Sequence, residues 1–181
     1  MKPGSNDPQI EGYEVIRQDR TTNGEGLAIL VDKELKYSVV KTIQHDQAAI
    51  QAIDVHLNNS TLRVVNFYLP PGADASFENV LKATSNGPTI VVGDANCHSS
   101  LWHSNIEADA TGKEIEDLIA ESNLVVINGQ TATSIPYDEN QRCSSPDITL
   151  VSENICLESE WTTLKKRMSD HLPILVSLKT G

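Results

Sequence analysis

The chain has 181 residues, 39% hydrophobic and 22% charged, a balance that suits a soluble globular domain with a substantial core. Its 14 Lys and Arg against 25 Asp and Glu give a formal net charge of −11, which excludes a uniformly basic surface of the kind that binds nucleic acid tightly and without specificity. No apolar run approaches the roughly 20 residues that span a bilayer, so no membrane partner is expected. Cys97, Cys143 and Cys156, an odd number without a C-x-x-C pair, speak against a disulfide framework or zinc knuckle and for an intracellular setting, nuclear or cytoplasmic.

In chain order, residues 1–9 read as a flexible N-terminal arm, because Met1-Lys2-Pro3-Gly4-Ser5-Asn6-Asp7-Pro8 lacks the apolar stretch of a secretory signal. Residues 10–181 read as one α+β domain. Gly26 to Val31 predicts a buried strand entered through a glycine-rich turn, and Ile50 to Leu57 a second strand before the turn Asn58-Asn59-Ser60. Leu62 to Leu69 predicts a third, stopped by Pro70-Pro71-Gly72. Thr89-Ile90-Val91-Val92 is continuously apolar, the pattern of a strand covered on both faces. Leu124 to Ile127, Asp147 to Val151 and Leu172 to Leu178 complete the expected strands. Thr111-Gly112-Lys113-Glu114 has the form of a capping box, and Ile115, Leu118 and Ile119 give the helix behind it one apolar face ending near Ser122-Asn123. A weaker helix is expected from Ser76 to about Ala83.

The residues suited to chemistry sit at strand ends. In Gly93-Asp94-Ala95-Asn96, Gly93 permits close approach, Asp94 can orient or deprotonate a water, and Asn96 can hold that water or donate to a phosphate oxygen. The plainer meaning of the same residues is an Asx turn. Ser169-Asp170-His171, ahead of an apolar strand, puts a potential metal carboxylate beside an imidazole that can donate a proton or stabilise charge; a polar turn is the alternative. Asp147, at the start of its strand, can fix the tautomer of such a histidine, or simply cap the strand. Tyr68 can reach a phosphate with its hydroxyl or pack as a half-buried strand aromatic. Trp102 can stack on a base or pack beneath a loop. His98 and His103 have no zinc-pair spacing, and His45 and His56 look ordinary. Lys165-Lys166-Arg167 is the densest basic run, either a solvated loop or a contact to a phosphate backbone.

Taken together and in order, the motifs G-x-G-x-A-I-L-V (Gly24 to Val31), N-F-Y-x-P-P (Asn66 to Pro71), G-D-x-N (Gly93 to Asn96), S-P-D-x-T-L (Ser145 to Leu150) and S-D-H-x-P-I (Ser169 to Ile174) resemble the endonuclease/exonuclease/phosphatase family. Within it, Gly93 to Trp102 is similar to the G-D-x-N-x-H-x-x-x-W pattern of the apurinic-type endonuclease domains of non-LTR retrotransposons. The resemblance runs from about Ile10 onward. It implies a four-layer α/β/β/α sandwich of two packed mixed β-sheets, with a site using Mg²⁺ or Mn²⁺ at one end. It also implies roles: Asp94 activating water, Asn96 positioning it, Asp170 at the metal or leaving-group side, and His171, oriented by Asp147, stabilising charge on phosphorus. Tyr68 and Asn66 would place the scissile phosphate, and Trp102 and His98 would face the substrate. Against the family pattern, the first strand, a helix, and the segments bearing the metal-site Asn and Glu are expected to be missing. Glu11 and Glu25 stand in the wrong context to replace that Glu.

Three functions follow as expectations. One is a DNA-nicking, magnesium-dependent endonuclease domain, with DNA as partner and a reverse transcriptase region elsewhere in the parent polyprotein. Another is a catalytically impaired remnant that binds or scaffolds. The third is a phosphatase for a small phosphoester such as an inositol phosphate or phospholipid headgroup, to which the acidic charge is better suited.

Overall fold

A computed structural model describes residues 9–19, 26–40, 48–72, 77–166 and 168–179. The expected N-terminal arm up to Pro8, Gly24 and Glu25 of the first glycine-rich turn, His45, Ser76 and Arg167 lie outside the described residues. The chain divides into two compact units, Met1–Val91 and Val92–Gly181.

In the first unit, β1 (Tyr13–Asp19) and β2 (Gly26–Asp32) form a two-stranded antiparallel sheet with Ile16 opposite Ile29. Strands β3 (Lys36–Val40), β4 (Ala49–His56) and β5 (Thr61–Tyr68) make an antiparallel ladder. The two-residue period of a strand then sorts side chains to faces. Ile53 lies opposite Val64 and Val55 opposite Leu62, and these four pack with Ile16, Ile29 and Val31, so the two sheets meet face to face. Burial of Val31, Ile53 and Val55 contributes about 1.5–3 kcal/mol each, and the partly buried side chains around them contribute less. Val65 and Phe67 point the other way, and Phe67 meets Phe77 edge-on at 5.6 Å, just before the short helix α1 (Glu78–Leu81). Helix on sheet on sheet is thus the local layering. Strand β6 (Thr89–Asp94) leaves this unit and enters the next.

The second unit contains α2 (Ala110–Ala120), β7 (Leu124–Val126), β8 (Asp147–Ser152), β9 (Ser159–Thr163) and β10 (Ile174–Leu178), with 3₁₀ turns at Ser100–Trp102 and Glu153–Glu158. The strand order through β6 is β3-β4-β5-β6-β8-β7, and β9 and β10 form an antiparallel pair of their own. Trp161 on β9 brings that pair onto β8: its Nε1 donates to Thr149 Oγ1 at 3.1 Å. Gly129 allows the approach, since a Cβ there would lie 3.0 Å from the Trp161 ring.

Three strands, β1, β3 and β9, were not expected from the sequence. The last strand starts at Ile174 rather than Leu172, because the Leu172 N–H is spent on Thr133 O at 2.7 Å and Pro173 has no N–H to give. Helix α2 also begins earlier than the apparent capping box. Its N-cap is Asp109, whose Oδ1 accepts from Gly112 N at 2.7 Å, and Thr111 is an exposed residue of the first turn. The expected apolar face holds, with Ile115 and Ile119 buried. Gly112 has a steric reason: a Cβ at this position would lie 2.0 Å from the carbonyl oxygen of His98. Gly112→Ala should therefore lower the urea midpoint, by about 1–3 kcal/mol of stability, although alanine is the better helix former by about 1 kcal/mol. An unchanged or raised midpoint would show that this contact relaxes at no cost.

Candidate active site

The apolar run of β6 carries the chain from a buried strand to a polar turn at Gly93-Asp94. Ala95 N donates to Pro146 O at 2.9 Å, which ties the end of β6 to the start of β8. Asn96 N donates to Asp94 Oδ1 at 2.9 Å, and Asn96 sits at φ 47°, a left-handed conformation that Asn tolerates better than most residues. The Asx turn weighed from the sequence is therefore present, and it holds one carboxylate oxygen in place.

Asp147 opens β8 between two straps. Asn128 donates from Nδ2 to Asp147 O at 2.8 Å and accepts from Thr149 N at 2.7 Å, while Asp147 N donates to Thr133 Oγ1 at 3.4 Å. The Ser169-Asp170-His171 turn is closed by Ser169 Oγ, which donates to His171 O at 3.0 Å and accepts from His171 N at 3.1 Å. Ile135 N donates to Asp170 O at 2.6 Å, and Ser134 pairs in single bridges with both Ser144 and His171. The segment Thr133-Ser134-Ile135 thus braces both the Asp147 end and the His171 turn. The sequence carried no signal for it: T-A-T-S-I-P at positions 131–136 reads as an ordinary loop.

These supports bring three side chains together. His171 Nδ1 lies 2.9 Å from Asp147 Oδ2, and ligand-capable atoms of Asp94, Asp147 and His171 all fall within 4.8 Å of one another. Burial pushes the Asp94 carboxyl up to about 6; the Asn96 N–H opposes this, the Asp147 charge adds to it, and His171 pulls it back. His171 is raised to about 9, chiefly by its hydrogen bond to Asp147, against burial and with help from the charges of Asp147, Asp94 and Asp170. Around neutral pH the group is therefore an ionised carboxylate facing an imidazolium that a second carboxylate holds. Cys97, next to this turn, has its thiol pushed up to about 12 by burial and then by Asp109 and Asp94, so it is no nucleophile.

The donor chemistry suits a hard divalent cation. A magnesium-type ion takes one or two protein carboxylates and completes its shell with waters and substrate phosphate. Asp94 and Asp147 supply such oxygens, whereas His171 below about pH 9 is a hydrogen-bond donor rather than a ligand.

The remaining candidates are not part of this trio. Asp170 is exposed and outside the close trio. Trp102 is 0% exposed with its Nε1 buried, so its ring packs under the turn and presents no face to a base. His98 is engaged by its backbone, which donates to Asp109 Oδ2 at 3.0 Å, and by Nδ1, 3.2 Å from Ser104 Oγ. Asn66 and Tyr68 are on β5 in the first unit, where Asn66 Nδ2 donates to Ala28 O at 3.4 Å and Tyr68 is half-buried.

The family profile described as Endonuclease-reverse transcriptase matches residues 62–175. Among solved structures, the endonuclease domain of TRAS1, a telomere-specific non-LTR retrotransposon, is similar at 22% identity and a TM-score of 0.75, over 94% of this chain and 82% of that one. The mannosyl-6-phosphatase Bt3783 of Bacteroides thetaiotaomicron VPI-5482 is similar at 16% identity and a TM-score of 0.62, over 94% and 78%. D. rerio TDP2 complexed with a single-strand DNA product follows at 11% identity and 0.58, over 93% and 78%. No curated protein sequence matches the chain. At these identities the structural likeness carries the fold.

Proposed function

The chain belongs to the endonuclease/exonuclease/phosphatase family, in the group described as endonuclease-reverse transcriptase, and from that premise we propose that it is a metal-dependent phosphodiesterase that nicks DNA. Its setting would be a retrotransposon-derived polyprotein that also carries a reverse transcriptase region, inside the cell. The carrying observation is the trio itself: a carboxylate that ionises near pH 6, within 4.8 Å of an imidazole that stays protonated to about 9.

In this reading Asp94 takes a proton from the attacking water, and Asn96 orients that water or a phosphate oxygen. His171, held by Asp147, donates to a non-bridging phosphate oxygen as charge builds on phosphorus. Mg²⁺ or Mn²⁺, held by the carboxylates of the cluster with Asp170 as a further oxygen donor, would supply Lewis-acid stabilisation of that charge.

Supercoiled-plasmid nicking with Mg²⁺, with Mn²⁺ and with chelator tests this directly. The expected result is metal-dependent nicking that falls at least about 100-fold in Asp94→Ala and in His171→Ala. Unchanged nicking in both variants would sink the site assignment. The formal charge of −11 favours a second reading, a phosphatase for a small phosphoester. Turnover of an inositol phosphate without any nicking would establish it, and turnover of neither substrate would leave a binding module.

A further inference from the structure

Among the described Lys and Arg side chains of the second unit, four make no ion pair or side-chain hydrogen bond: Lys113 on α2, Arg142, Lys165 and Lys166. Lys179, by contrast, pairs with Glu160. Much of the exposed charge of this unit is acidic, with Glu114, Asp117 and Glu121 on or just after α2 and Glu153, Glu158 and Glu160 before or on β9. Two adjacent, exposed and uncompensated lysines stand out against it.

Their position gives them a use. Lys165 and Lys166 sit in a loop whose ends are clasped by Leu164 N donating to Pro173 O at 2.8 Å. The far end of the same loop is Ser169-Asp170-His171, pinned by the Ser169 hydroxyl and by Ile135 N on Asp170 O. The segment that delivers His171 to Asp147 therefore also carries the two charges. Lys166 is five residues from His171, so the two Cα atoms are separated by at most about 18 Å. Each strand of a duplex bears a phosphate every ~3.4 Å of axis. A polynucleotide seated at the trio thus has several phosphates within that radius, whereas a small monophosphoester has none to spare beyond the one at the trio.

We infer that Lys165 and Lys166 form a contact to the phosphate backbone of the nicked strand, on the loop that carries His171. The inference rests on the phosphodiesterase reading of the trio. It also resolves the charge problem, since local steering needs a few cations near the reaction centre and not a basic protein.

Fluorescence anisotropy of a short labelled DNA duplex, titrated with the full chain in chelator over a series of salt concentrations, reads binding without cleavage. Lys165→Glu/Lys166→Glu is expected to weaken binding at least about 10-fold and to lower the slope of log affinity against log salt by about 2. Lys165→Gln/Lys166→Gln should do the same to a lesser degree, and it replaces the Glu pair if that variant's urea midpoint drops. Lys113→Glu/Lys179→Glu, with the same change in net charge, should bind like the wild type. Equal losses in both double variants, or no DNA binding by the wild type, would overturn the inference. So would loss of binding to phosphatidylserine vesicles with DNA binding intact, which would assign the loop to a membrane. Wild-type turnover of bis(p-nitrophenyl) phosphate is measured in parallel. Turnover without DNA binding defeats the lysine contact and spares the phosphodiesterase reading, whereas salt-dependent DNA binding without any turnover does the reverse.

Discussion

Asp94→Asn is expected to reduce nicking by about 10²–10⁴-fold while making the metal-free protein harder to unfold at neutral pH. The two effects have one cause. Asp94 closes a strand whose preceding residues are apolar, and burial there pushes its carboxyl from 3.8 up to about 6. A folded-state value above the unfolded one means that the fold prefers the neutral acid. The associated stability is fully present below about pH 3.8 and is lost as pH rises through about 6. At neutral pH the wild type therefore carries an ionised group that its surroundings resist. A shift of this size corresponds to about 3 kcal/mol, reduced to on the order of 1–2 kcal/mol because part of the group remains in reach of solvent. Asparagine is neutral throughout and keeps the Oδ1 that accepts from Asn96 N. Urea midpoints in chelator should thus coincide for the two proteins near pH 3.5, diverge through pH 5, and stay apart above pH 6 in favour of the variant. Loss of the attraction to His171 takes back part of the gain, not its sign, because burial is the larger influence. A variant that is less stable at pH 8, or equally active, would show that Asp94 is a structural cap. Stability given up for a charged group in this way is the signature of a working site rather than of a turn.

How far the sequence reaches can be judged at particular residues. The continuous run Thr89 to Val92 and the alternation along β5 were legible because burial on one or both faces writes itself into residue type. Strands β1, β3 and β9 were not, and the reason is their setting. Tyr13-Glu14-Val15 and Ser159-Glu160-Trp161-Thr162-Thr163 belong to two-stranded sheets, and Lys36 to Val40 ends a sheet, so each has solvent on a side where an inner strand has core. Their identity as strands comes from partners distant in sequence. The start of α2 was misplaced by the same kind of ambiguity: both Asp109 and Thr111 are capping residues by type, and only the close pass of the His98 carbonyl over Gly112 decides between them. For the site, residue type and strand position were enough to name Asp94, Asp147 and His171, whose side chains do converge. The Thr133-Ser134-Ile135 brace was out of reach, since a buried polar segment satisfied by backbone bonds looks like any loop until its partners are known. Trp102 was open between stacking and packing, and its complete burial is a property of the folded environment that no local pattern encodes.

Asp147→Asn should act through His171, and the titration of that ring is where it will be seen. In the wild type the Asp147 hydrogen bond is the main reason that His171 holds its proton to about pH 9. With the carboxylate replaced by an amide of the same shape, burial works against the imidazolium and only the charges of Asp94 and Asp170 support it. The C2-proton resonance of His171, followed by NMR in metal-free protein, should then titrate near the ordinary value of 6.5 instead of about 9. The sign for stability follows from the raised value. The pair contributes fully below about 6.5 and loses its contribution as pH rises through about 9, so the variant should be the weaker protein at pH 6 and the difference should shrink by pH 10. With His171 more than a third exposed, that difference is on the order of 1 kcal/mol. Nicking should fall by about 10²–10⁴-fold at pH 8, because the amide can hold the ring in the wrong tautomer as well as failing to stabilise its charge. The residual activity should lose its alkaline limb near 9 and decline from about neutrality instead. If His171 still titrates near 9 in the variant, its proton is held by Asp94 and Asp170 rather than by Asp147. The two carboxylates would then have exchanged roles, with Asp147 the one free to act on water.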